Sequence, residues 1–147
     1  MEWKLKKFDE LSPDELYEIL RLRAEVFVVE QDCVYQDLDG KDKCAYHLFL
    51  QDNNLMVAVL RILPENVSYK DPAIGRVIVK RSYRRRGIAK KMMIKAIDFI
   101  INDLGKRRIK LSGQTYLCDF YTDLGFRKVS DQYLEDGIPH FEFLYEI

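Results

Sequence analysis

Val77-Ile78-Val79-Lys80-Arg81-Ser82-Tyr83-Arg84-Arg85-Arg86-Gly87-Ile88-Ala89 decides how this chain is read. Three β-branched residues close a strand, a basic turn follows, and a helix starts after Gly87. Between Arg76 and Lys95 there are nine Lys or Arg residues and no acid. A helix start presents unpaired backbone N–H groups and a positive dipole end. A phosphate or pyrophosphate fits there if the backbone can approach it closely. Gly87 has no Cβ to block that approach, and Ala89 is the next smallest choice. The surrounding Arg and Lys add field and donors. A charge run by itself describes a solvated helix face as well as an anion site. The small pair at the junction is what separates the two. A P-loop is excluded, because its Gly-Lys-Ser/Thr ending is absent. A Rossmann loop lacks its three glycines here.

Downstream, Ala89, Met92, Met93, Ala96, Ile97, Ile100, Ile101 and Leu104 trace a strong helix stopped by Gly105. Ile109 to Leu111 reads as a short buried strand. Leu117, Phe120, Tyr121 and Leu124 mark a second helix, stopped by Gly125. Two strands, about 126–133 and 140–146, flank Asp136-Gly137. Upstream, Ile74 to Val79 is a strand. Ala45 to Gln51 and Leu55 to Leu63 form a hairpin around Asp52-Asn53-Asn54. Ser12-Pro13-Asp14-Glu15 is a capping box with proline at the first helical position. Leu16, Ile19, Leu20, Arg23 and Phe27 follow on one helical face, and Trp3 and Leu5 alternate before it as a strand would. The predicted order is β, α, β, β, β, α, β, α, β, β. Three meander strands followed by a β-α-β crossover make a mixed sheet.

The 147 residues are read as one domain, 1–147; 48% hydrophobic and 33% charged exclude disorder. The 24 basic and 24 acidic residues cancel, which argues against a global polyanion binder. The balance hides an asymmetry, net −5 over residues 1–70 and net +5 over 71–147. The start has no apolar core of a signal peptide, and no run approaches the ~18 apolar residues that span a bilayer. Cys33, Cys44 and Cys118 lack metal spacing, so a cytoplasmic protein with free thiols and no metal is expected. Asp37, Asp39 and Gly40 resemble part of a calcium loop, but residue 48 is leucine where that loop needs Glu. The acidic run Glu30 to Asp42 reads either as a cation-recognising lip or as a solvated loop.

Val79 to Ala89 resembles motif A of the GNAT superfamily of acyl-coenzyme A transferases, through Arg84, Gly87 and Ala89. Gln114 to Phe126, with Phe120-Tyr121 and Leu124-Gly125-Phe126, is similar to its motif B helix. Four further segments resemble the ElaA-like branch: Val26 to Gln31, Tyr35 to Gly40, Gly75 to Val79 and Glu135 to His140. The resemblance implies an α/β (α+β) GNAT acyl-CoA N-acyltransferase fold. Its sheet is mixed and mostly antiparallel, with a V-shaped splay between the fourth and fifth strands and flanking helices. It implies acetyl-CoA as cosubstrate, an amine as acceptor, and direct attack in a ternary complex. The donor would lie along Val77, Ile78 and Val79, with Arg84, Arg85, Arg86, Gly87, Ile88, Ala89 and Lys90 around its pyrophosphate. Gln114 is a further donor contact, and it departs from the Asn found in many members.

Transfer to an amine needs a neutral nucleophile, an oxyanion donor and a proton for the departing thiolate. Tyr121 matches the motif B tyrosine that serves as general acid in many members; periodicity alone would make it a core residue. A backbone N–H near Val79 is the oxyanion donor. Glu30 and His140 are the candidate bases, each open to a purely structural reading, and a water chain could replace either. His47, in an alternating strand, and Cys118, with no His nearby, read as structural. Two rival readings remain at this stage. One is a nucleic-acid-binding module using Arg84 to Arg86; the other is an acetyl-CoA sensor that transfers nothing. Neither nucleic acid nor membrane is expected as a partner, and the terminal strands offer an edge for a homodimer.

Overall fold

A computed structural model describes residues 1–147. Strand β1 (Glu2–Lys7) leads to helix α1 (Pro13–Arg23). The capping box forms as expected: the Ser12 hydroxyl accepts the Glu15 N–H at 3.1 Å, and Glu15 Oε1 accepts the Ser12 N–H at 2.9 Å. Glu15 is itself buried and bound by Lys6 at 2.9 Å. Burial pushes its carboxyl up, but the Ser12 amide and Lys6 outweigh that and hold it below the usual range. The helix then widens into a π-helical segment, Ala24–Glu30. Widening turns the buried face. Ile19, Leu22 and Val26 pack against Phe49, Met56, Val59 and Ile78, while Leu16, Leu20 and Phe27 stay half-buried at its flank.

Strands β2 (Tyr46–Asp52) and β3 (Leu55–Leu63) form the expected hairpin; Asn53, at the turn, has φ 56°. From Met56 to Leu63 every β3 residue is buried. Such a continuous run follows from helices covering both faces. Helix α2 (Ile88–Asp98) covers the other face. Its Met92, Met93 and Ala96 lie in one cluster with Leu48, Leu50, Leu60 and Ile62. A π-helical turn, Phe99–Asp103, follows α2, and Gly105 (φ 67°) lets the chain reverse.

Strand β4 (Ala73–Val79) runs antiparallel to β3, and β5 (Arg108–Gln114) parallel to β4. Two features open the sheet. Val59 pairs with Ile78 and Arg61 with Gly75, so Arg76 and Val77 together oppose Leu60. That is a bulge, and Arg76 sits in it at φ 51°. β4 and β5 pair only at Ala73 and Lys110, where the Lys110 N–H donates to the Pro72 carbonyl at 2.9 Å. Beyond that point they diverge in a V.

Helix α3 (Cys118–Asp123) leads to β6 (Arg127–Lys128), β7 (Tyr133–Glu135) and β8 (Ile138–Glu146). The sheet order is β1-β2-β3-β4-β5-β8-β6, with β7 also on β8. One strand was predicted over 126–133, and two short ones form. Arg127 faces Leu144 and Tyr133 faces His140, registers two residues apart, so the chain bulges between them. There the Ser130 hydroxyl takes the Glu142 N–H at 2.8 Å in place of a backbone acceptor. No helix is long and apolar enough to cross a membrane.

Candidate active site

The V between β4 and β5 holds a cleft of about 480 Å³. Ten of the eleven residues expected at the donor line it: Val77, Ile78, Val79, Arg84, Arg85, Gly87, Ile88, Ala89, Lys90 and Gln114. Arg86 does not line it. Its guanidinium lies 4.8 Å over the Tyr83 ring.

The backbone at the cleft is set by alternation along β4. The Lys80 N–H donates to the Val57 carbonyl at 2.7 Å, toward β3. The preceding N–H, of Val79, therefore points the other way, where no β5 residue pairs with it. The Val79 carbonyl on that side accepts from Arg84 Nε at 2.9 Å. Gly87 caps α2 at φ 74°, and a Cβ added there would meet nothing within 4 Å. Its open flank, the amide end of an eleven-residue helix, and Arg85 and Lys90, which pair with no carboxylate, are a donor set suited to a diphosphate.

Tyr121 stands on α3 with its ring packed edge-on to Phe120 and Phe126 and tilted over Phe143. It is 5% exposed, as the apolar stripe predicts. It also lines the cleft, and its hydroxyl has no protein hydrogen-bond partner. Burial pushes the phenol well above its ordinary value of 10. Tyr121 is thus both a core residue and a wall of the cleft.

A second cavity, of about 110 Å³, adjoins the cleft at Tyr121 and contains His140. His140 Nδ1 lies 2.6 Å from the Ile138 carbonyl, which can only accept, so Nδ1 carries a hydrogen. Nε2 faces Glu135 Oε2 at 3.4 Å, and the ring stacks on Tyr133. Glu30 lies elsewhere. Its carboxylate grips Arg84 at 2.6 and 3.0 Å, and this pairing holds it below the usual carboxylate range. Tyr121 thus shares one cavity with His140 and the cleft with Glu30, while Glu30 and His140 line different cavities.

Glu135 was not singled out from the sequence. A two-residue turn at Asp136-Gly137, with φ 51° and 76°, dictates that Glu135 faces Ile138 and Tyr133 faces His140, so counting back from the turn could have found it.

The acidic loop departs from both readings, lip and solvated loop, at Asp37, Asp39 and Asp42, which arginines hold. Asp37 and Asp42 are buried and salt-bridged to Arg23, at 2.9 and 2.6 Å; Arg23 is only 1% exposed. Arg61 binds Asp39 and Asp42 at 2.6 and 3.0 Å, and Arg76 stands 2.8 Å from Asp37. Burial raises the carboxyls of Asp39 and Asp42. Hydrogen bonds from Arg61 and Arg23 respectively outweigh it and hold both below the usual range, Asp39 well below it. His47 Nε2 lies 2.9 Å from the Asp42 carbonyl, and burial pushes this histidine down. All three cysteines are free, and no cluster of side chains has metal-binding geometry.

Fold and cleft define an acyltransferase. Residues 9–147 match the acetyltransferase (GNAT) domain family, and the chain belongs to it. Within that family it is similar to ElaA of Escherichia coli, 37% identical over 149 residues that cover all of this chain and 97% of that protein. The crystal structure of E. coli ElaA superposes with a TM-score of 0.93 over 99% of both chains. An acyl-CoA N-acyltransferase from Pseudomonas aeruginosa is 35% identical, with a TM-score of 0.92 over 99% of both chains. An aminoglycoside 6'-N-acetyltransferase solved with coenzyme A shares the fold alone, at 13% identity and a TM-score of 0.72, covering 97% of this chain and 96% of that one.

Proposed function

We propose that this protein moves an acetyl group from acetyl-CoA to a primary amine by direct attack in a ternary complex. One observation carries the reading: the Gly87 helix start, the unpaired Val79 N–H and the partnerless Tyr121 hydroxyl all line a single cleft. The helix start, Arg85 and Lys90 hold the diphosphate, and the free edge of Val77 to Val79 takes the pantetheine arm.

His140 Nε2 accepts a proton from the acceptor's ammonium and leaves a neutral amine. The amine nitrogen attacks the thioester carbon, and the carbonyl electrons move onto oxygen, which the Val79 N–H stabilises. Collapse breaks the carbon–sulfur bond, the thiolate takes the Tyr121 proton, and the surplus proton on the acylated nitrogen passes through water to the Tyr121 oxygen, which leaves a neutral amide and a neutral tyrosine. A phenol of ordinary pKa near 10 gives a proton to a thiolate of conjugate pKa near 8.5 at about 2 kcal/mol uphill. The raised value of buried Tyr121 adds to that, so the transfer is concerted with bond cleavage. Glu30 is a poor base while Arg84 holds it; its role in this reading is to fix Arg84 at the mouth of the cleft.

The rival polyanion reading keeps only Arg85 of its three arginines free, because Glu30 takes Arg84 and Arg86 lies over the Tyr83 ring. The test has two parts. Coenzyme A at a hundred times its Kd adds about 2.7 kcal/mol to the folded state and raises Tm accordingly. Thiol release from acetyl-CoA then depends on added amine. A melting curve indifferent to coenzyme A, or donor binding with no amine-dependent thiol release, rules the reading out; the second result leaves a sensor.

A further inference from the structure

A third hollow, of about 430 Å³, continues from the His140 cavity. The two share Tyr35, Ile74, Gly75, Arg76, Ser112 and Glu135 on their walls. The donor cleft, the small cavity and this chamber thus lie side by side, each sharing wall residues with the next. Some of their charges are spoken for. Asp37, Asp39 and Asp42 neutralise Arg23, Arg61 and Arg76 in one partly buried network. Three charged side chains along the small cavity and the chamber stand outside that network. Glu135 and Asp136 sit where cavity and chamber join. Lys41 lies in the chamber, where its ammonium donates to the Ser68 hydroxyl at 2.8 Å and meets no carboxylate. Arg61, 4% exposed and also on the chamber wall, keeps its Nε–H without a partner.

Carboxylates near the reacting end and, at the far end, a lysine that meets no carboxylate call for a ligand of the opposite polarity. We propose that the chamber is a subsite for the acceptor's tail, and that the acceptor is a zwitterionic chain. Its primary ammonium lies beside Glu135 and His140, and its carboxylate or similar anion reaches Lys41. This rests on the acetyl-transfer reading above and names the class of amine.

The experiment compares probes of one length at saturating acetyl-CoA: 6-aminohexanoate, hexylamine and 1,6-diaminohexane, with 4-aminobutanoate and 8-aminooctanoate to set the reach. The best amino acid has a kcat/KM about tenfold or more above hexylamine, and the diamine is the poorest. Lys41→Met brings the ratio of amino acid to hexylamine toward one by raising KM for the amino acid, with kcat retained. Equal or better turnover of hexylamine or the diamine, an unchanged ratio in Lys41→Met, or no turnover of any probe by a protein that coenzyme A still stabilises overturns the subsite. Loss of the coenzyme A shift itself overturns the acetyl-transfer reading instead.

Discussion

Gly113 of β5 and Tyr121 of α3 are in contact so close that a Cβ on Gly113 would stand 2.5 Å from Tyr121 Cε2 and 3.2 Å from Phe143. The glycine is there because the tyrosine ring occupies the place of its side chain. Gly113→Ala must displace that ring. Overpacking of this kind costs about 1–3 kcal/mol. We expect a lower denaturation midpoint and a kcat reduced more than coenzyme A affinity, read by urea titration and steady-state kinetics. An unchanged kcat would detach the ring's position from turnover.

Tyr121→Phe removes a hydroxyl with no protein partner, so stability should change by no more than about 0.5 kcal/mol. As general acid the hydroxyl is worth about a hundredfold in kcat. Donor KM and the coenzyme A melting shift should persist. Because burial raises the phenol above 10, it stays protonated through neutral and mildly alkaline pH. The wild-type kcat profile therefore has no alkaline fall from this group below about pH 10. An alkaline limb near pH 8 that vanishes in Tyr121→Phe would contradict this.

Gly87→Ala tests the helix start. At φ 74° an L-residue costs roughly 1–2 kcal/mol. Its methyl would enter open space at the cleft rather than clash with protein. KM for acetyl-CoA should rise about tenfold, equivalent to roughly 1.4 kcal/mol of donor binding. Calorimetric titration with coenzyme A checks this, and full affinity in the variant would move the diphosphate elsewhere.

Acid should unfold the protein in two stages. His47 is held below its ordinary 6.5 by burial. The unfolded chain binds that proton first, so stability falls as pH drops below about 6.5. Asp39 and Asp42 are held below 3.8, so their contribution is present above about pH 4 and is lost below it. His47→Gln should flatten the first stage, as followed by melting temperature against pH. Asp42→Asn removes the carboxylate charge that buried Arg23 and Arg61 share, leaving Arg23 with Asp37 alone, and should cost about 3 kcal/mol at pH 7.

Much of the fold was legible because it follows from local chemistry. Ser12 and Glu15 cap a helix wherever they stand three apart. The run from Met56 to Leu63 has no polar face to show water apart from Arg61. Gly87 between a strand and a basic helix marks a junction the backbone leaves open. The strand over 126–133 was misjudged because its break depends on β8, against which the two halves pair in different registers.

The chain alone determined the order of elements, the covered sheet and the loop at Gly87, since each rests on φ/ψ preference or on apolar spacing within about ten residues. Folding in three dimensions decided which charges are free. Arg23 meets Asp42 across 19 positions, and Arg84 meets Glu30 across 54. Glu135 reaches His140 only because a hairpin turns between them. Ion pairs of this kind depend on burial and on the approach of distant segments. A run of acidic letters can therefore be a recognition lip, a wet loop or, as here, the inside of a neutral network.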